Sequence, residues 1–174
     1  MNKTRISFLS LSLAVVLSGV MHAQESPVQI TWVTQESKTL GFTMDSPKDW
    51  KVQEGGVLIV FMHHDKPKNV SVFLSARLLG SDFERETLVS DNGLNTVMKP
   101  RYKKTKRTID GHSAIQVDGI YESIPNGHLR HIYLKENGRN LELTCSVADA
   151  AVWEEYLRIF ERMLSSIKFS GQGS

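Results

Sequence analysis

Six cations crowd into one short segment: Lys99, Arg101, Lys103, Lys104, Lys106 and Arg107. A run of this kind can grip an anionic partner, either a phosphate-bearing surface or an acidic protein, through charge complementarity. On an exposed edge strand the same lysines block edge-to-edge aggregation. Nucleic-acid binders interleave their cations with aromatic rings or are basic overall. Only Tyr102 is interleaved here, so a solvated edge comes first, an anionic protein or membrane surface second, and nucleic acid last.

The remaining reactive residue types do not assemble into a catalytic pattern. His63 and His64 are neighbours on an expected strand and point to opposite faces. His128 and His131 are three apart on another strand and separate likewise, and no pair has the i,i+4 helical spacing of a zinc protease. Gly111-His112-Ser113-Ala114 begins like a nucleophile elbow, but Ile115 stands where the second glycine belongs and the segment reads as a hairpin. Cys145 shares its side of a strand with Leu141, Leu143 and Val147, so it is expected to be buried filler, with no partner for an intrachain disulfide. Glu154 and Glu155 belong to a solvated helix face. No glycine loop that cradles phosphate follows any strand. Catalytic residues are therefore expected to be none, as are metal ligands.

The elements that would hold these residues follow from periodicity and turns. Strands are expected at Val28–Val33, Gly41–Asp45 and Trp50–Val52. The run Val57–Met62 is apolar at every position, which predicts a central strand hidden on both faces. Val70–Leu78 alternates and reads as another strand. Ser81-Asp82 can cap a helix over Phe83–Met98, with Asn92-Gly93 able to split it. Asp110-Gly111, Asn126-Gly127 and Asn137-Gly138 supply hairpin turns in a meander of Tyr102–Ile109, Ser113–Glu122, His128–Lys135 and Asn140–Val147. The last of these alternates Leu141, Leu143, Cys145 and Val147 against Asn140, Glu142, Thr144 and Ser146, and so reads as half-buried. A final helix over Asp149–Ser165 buries Val152, Trp153, Tyr156, Leu157, Phe160, Met163 and Leu164. It turns Glu154, Glu155, Arg158, Glu161 and Arg162 outward. The fold class this implies is α+β, an antiparallel sheet sandwiched between helices.

The first residues give a compartment. Lys3 and Arg5 precede an apolar stretch from Phe8 to Met21, and Ala23 offers a small residue for cleavage, the order of a secretory signal peptide. The apolar stretch is shorter than the ~20 residues that span a bilayer. The expected organisation is a signal peptide at 1–23, one domain at 24–170 and a frayed tail at 171–174. The expected location is the periplasm or outside the cell. Without Lys3 and Arg5 the chain carries 19 basic and 19 acidic residues, so its basic pI is no nucleic-acid signature. Roughly 150 residues remain, one domain's worth, which buries enough surface for a core without disulfides.

Five segments occur in order: Phe42-Thr43-Met44, Pro47-Lys48-Asp49-Trp50-Lys51-Val52, Ile109-Asp110-Gly111-His112-Ser113-Ala114, Asn140 through Ser146, and Phe160 through Phe169. Together they resemble the PsbP-like superfamily, which takes in PsbP, Mog and DcrB-type proteins. The resemblance covers most of the chain beyond the leader. It implies an α/β/α sandwich around an antiparallel sheet. The residues agree: Trp50 and Phe169 would plug the core, Cys145, Trp153 and Phe160 serve structure, and Gly111 is a turn glycine. It also implies a non-enzymatic role, docking or assembly on another protein. Some relatives bind calcium, manganese or zinc, but no ligand motif carries over to residues of this chain, so no cofactor is assigned. The expected function is a protein-binding or assembly module in the periplasm, with a protein partner, no nucleic acid and no stable membrane insertion. A small-ligand or divalent-metal carrier, or an immunity-type inhibitor of a secreted toxin, is the alternative.

Overall fold

Positive φ angles at Asp110 (44°) and Gly111 (83°), and at Asn137 (45°) and Gly138 (77°), close two tight hairpins at the dipeptides where the sequence places them. Both central residues lie in the left-handed region, the signature of the turn that matches strand twist. A computed structural model describes residues 29–99, 102–121, 123–124 and 126–170, so the expected leader, the expected tail and Arg101 lie outside the described residues.

The chain runs β1 (Trp32–Ser37), β2 (Phe42–Pro47), β3 (Lys51–Gly55), β4 (Leu58–Asp65), β5 (Val70–Leu79), α1 (Asp82–Val89) and α2 (Asp91–Asn95). It continues as β6 (Lys103–Ile109), β7 (His112–Ile120), β8 (His128–Glu136), β9 (Arg139–Val147), α3 (Trp153–Ser166) and β10 (Lys168–Phe169). Seven strands form one antiparallel sheet in the order β3-β4-β5-β9-β8-β7-β6, and β1-β2-β10 form a small second sheet.

One face of the large sheet carries Ile59, Phe61, Val72, Leu74, Ala76, Leu141, Leu143, Cys145 and Val147. They pack with Trp153, Tyr156, Phe160, Met163 and Leu164 of α3 and with Leu40, Phe42 and Met44 beside β2. Asp149 starts this helix, accepting from the Ala151 amide at 2.9 Å ahead of a short 3₁₀ turn at Ala150–Val152. The opposite face holds a smaller core of Leu79, Val117, Leu129 and Tyr133 beneath Leu94 and Met98. The fold is thus the expected α+β sandwich, with α3 on one face and α1 and α2 on the other.

Four expectations need correction. Strand pairing begins at Trp32 and runs to Ser37 because it is set by register with β2, Trp32 opposite Pro47 and Ser37 opposite Phe42. The long helix is broken at Ser90, whose extended backbone ends α1 and whose hydroxyl caps α2 by accepting from Gly93 at 3.1 Å. The apolar run does not become the central strand. It becomes β4, one place from the edge, with Leu58 37% exposed and Val60 and Met62 half-buried, because α1 and α2 do not extend over this end of the sheet. The central strand is β9, buried on both faces: Asn140 and Glu142, expected to face solvent, lie in the interior.

Gly93 is tied to the break between α1 and α2, since a Cβ there would lie 2.1 Å from the Thr87 carbonyl oxygen, a backbone atom that cannot swing away. Gly93→Ala should lower the urea midpoint by an amount equivalent to about 1–3 kcal/mol. An unchanged midpoint would show that the two helices are not packed this closely.

Candidate functional site

From Lys103 onward the basic segment folds as β6, the last strand of the sheet, with only β7 beside it among the described residues. Lys103, Lys104 and Lys106 are exposed, as is Lys99 ahead of the strand, whose amide donates to the Ile120 carbonyl at 2.9 Å. The structure sorts the cluster. Lys104 meets Asp91 at 2.6 Å beside the Tyr102 ring, and Tyr102 donates to the same carboxylate at 2.7 Å. Arg107 is half-buried, reaching the Glu161 carboxylate at 3.0 and 3.1 Å and the Gln116 side-chain oxygen at 2.7 Å. Lys99, Lys103 and Lys106 have no ion-pair partner among the described residues.

Glu161 was expected on the solvated side of the last helix. It instead bridges Arg107 and Arg130, and Arg130 also reaches Asp118 at 2.5 Å. This network joins α3 to the β6–β8 side of the sheet and removes Arg107 from the free surface charge. Arg162 likewise lies over the Trp32 ring, 4.0 Å from its centroid.

A second polar cluster was missed in the sequence. Beneath α1, buried Glu142 accepts from Arg77 at 2.6 and 2.9 Å, while His131 Nδ1 lies 2.9 Å from its other oxygen and 2.9 Å from Thr144 Oγ1. Tyr133 stacks on His131 at 5.6 Å between centroids. Burial alone would raise the Glu142 pKa, but hydrogen bonds and charge from His131 and Arg77 prevail and hold it down at about 2. Burial, with Glu142 beside it, pushes the Tyr133 phenol up. Each polar group is engaged by another, which makes the cluster a means of burying β9 rather than a set of groups waiting for substrate. Strand alternation alone could not reveal it, because Arg77 and His131 are brought to Glu142 only by the pairing of β5 and β8 with β9.

Three other histidines also lie against aromatic rings, His63 on Trp50 and Tyr156, His112 on Phe169 and His128 on Trp153, while exposed His64 has its Nδ1 3.3 Å from Ser71 Oγ. Asp65 accepts from Tyr156 at 2.8 Å and pairs with Lys68 at 2.9 Å, and Lys68 followed by Tyr156 holds its carboxyl below the usual range. Cys145 is buried, and desolvation pushes its thiol up to about 12, which leaves almost no thiolate near neutrality. Trp50, Trp153 and Phe160 are buried in the main core. Phe169 lies at its rim, edge-on to Phe42, and Gly111 occupies its turn. No group of three or more potential ligands is placed to hold a metal ion among the described residues. Among them no helix is long and apolar enough to cross a membrane. At the far end of the sheet, Leu58, Val60, Gln53, Glu54 and Gly55 line a shallow hollow of about 430 Å³, with Phe73 43% exposed on the same sheet face.

Solved structures supply the comparison. The cyanobacterial PsbP protein CyanoP from Synechocystis sp. PCC 6803 is similar at a TM-score of 0.55 and 13% identity, over 83% of this chain and 96% of that one. A protein of unknown function from Pseudomonas aeruginosa, PA94, is similar at 0.52 and 14%, over 78% and 94%. No family model matches the chain, and no curated protein sequence matches it well enough to count as a relative. At these identities the likeness is one of architecture, and the architecture is PsbP-like.

Because Glu142 ionises more readily folded than unfolded, its contribution is complete above its unfolded pKa of about 4.3 and is lost as pH falls from there towards about 2. Glu142→Gln should lower stability at pH 7 by about 1–3 kcal/mol. It should also flatten the acid limb of a plot of urea midpoint against pH. An acid limb identical to that of the unaltered protein would show that this carboxylate is not held by Arg77 and His131.

Proposed function

We propose that this PsbP-like protein is an exported, non-enzymatic binding module that docks an acidic protein surface against β6. The observation that carries the reading is the set of exposed lysines Lys99, Lys103 and Lys106. They lie on or beside an edge strand and have no ion-pair partner among the described residues. Neighbouring cations in the same segment already hold carboxylates, Lys104 with Asp91 and Arg107 with Glu161. An acidic partner would extend that pattern outward. The polar clusters deeper in the molecule are paired among themselves, and the one thiol is buried, which supports recognition over catalysis. Export to the periplasm rests on the leader-like order of Lys3, Arg5 and the apolar stretch to Met21.

Affinity capture from a periplasmic extract tests the reading. The protein should retain a stoichiometric acidic protein at low salt and release it as ionic strength rises through about 0.5 M. Lys103→Glu with Lys106→Glu should abolish retention while shifting Tm by no more than about 2 °C, since exposed substitutions are worth about 0.5 kcal/mol or less. Retention unchanged by the double reversal would remove β6 as the docking surface.

A further inference from the structure

We propose that the outer edge of β6 takes up an acidic extended segment of the partner as an eighth strand of the sheet, with carboxylates three residues apart opposite Lys103 and Lys106. The inference rests on the proposed function and specifies how the partner binds. The hairpin between β6 and β7 fixes which peptide groups are free. Ile109 and His112 flank its two-residue turn and are the i and i+3 residues that share the turn hydrogen bond. Directly opposed residues alternate along an antiparallel ladder between pairs that exchange hydrogen bonds and pairs that do not. Arg107, Thr105 and Lys103 therefore bond inward to β7, while the amides and carbonyls of Lys104, Lys106 and Thr108 face away from the sheet.

Seven residues of strand whose alternate peptide groups are free among the described residues are a template for another strand. The lysines decide which strand is admitted. A neutral segment would desolvate them without compensation and a basic one would be repelled, whereas opposite charges directly across a strand pair attract. On the inner side Asp118 stands opposite Lys103 in register, but its carboxylate is taken by Arg130 at 2.5 Å and by Gln116, which leaves the Lys103 ammonium to a carboxylate from outside. Lys103 and Lys106 fall on opposite faces of the sheet, so the two partner carboxylates must project to opposite sides, which their three-residue spacing provides. The other edge strand, β3, has five residues and no comparable group of cations.

The test uses the full chain and a nine-residue peptide of Thr and Val with Glu at its fourth and seventh positions, followed by fluorescence anisotropy at low salt. In an antiparallel docking, as everywhere in this sheet, the fourth and sixth amides bond to β6 and the fifth and seventh point away. N-methylation of the fourth and sixth should weaken binding by about tenfold or more, whereas N-methylation of the fifth and seventh should leave it within about threefold. Replacing both glutamates by glutamine should also abolish binding, as should Lys103→Glu with Lys106→Glu in the protein. If both methylated peptides bind as well as their parent, strand addition is overturned and an acidic partner held by charge alone survives. If the glutamate peptide does not bind, strand addition fails. If the double reversal also leaves periplasmic capture unchanged, the reading of β6 as the docking surface fails with it.

Discussion

The strand at the centre of the sheet, β9, must be covered on both faces, and the two covers are physically different. On one side Leu141, Leu143, Cys145 and Val147 meet the aromatic face of α3, a large apolar contact of the kind that dominates folding free energy. On the other, Glu142 is taken out of water and held by Arg77 and His131 from the two flanking strands. A buried carboxylate is tolerated only with its lone pairs occupied. The identities of Arg77 and His131 thus constrain the registers of β5 and β8 against β9: a one-residue slip would turn both partners to the wrong face.

From this constraint the layout of the outside follows. The helices α1 and α2 lie over the Glu142 cluster and the small core of Leu79, Val117, Leu129 and Tyr133, and no other helix among the described residues covers the outward face of β3, β4 and β5. Leu58 and Phe73 are exposed there for that reason. At the opposite end the sheet stops at β6, where α3 reaches across through Glu161 to Arg107 and Arg130 and goes no further. Among the described residues the outer side of β6 is left with lysines and alternate free peptide groups.

Much of this was legible in the residues, and the failures have a common cause. Dipeptides such as Asp110-Gly111 and Asn137-Gly138 announce their turns because only a few residue types accept positive φ at both positions. The amphipathic spacing of Trp153, Tyr156, Phe160 and Met163 announces α3 because helix periodicity is local. What failed depends on neighbours distant in sequence. Val57–Met62 is apolar throughout, yet the run cannot say which layers lie above and below it, and the chain places it next to an edge. Glu142 and Glu161 look like solvent-facing acids until β5, β6 and β8 bring arginines and a histidine to them. The lysine segment was readable as an edge strand, but its division into paired Lys104 and Arg107 and, among the described residues, unpaired Lys103 and Lys106 was not.

The interior of this protein is occupied, and among the described residues β6 presents an open, cationic strand edge. Residue-resolved amide hydrogen exchange on the isolated chain tests this most directly. The account predicts alternation along β6, with the amides of Lys103, Thr105 and Arg107 protected by β7 and those of Lys104, Lys106 and Thr108 exchanging much faster. Uniform protection across all six would mean that the outer edge is already covered in solution, and the account would be wrong.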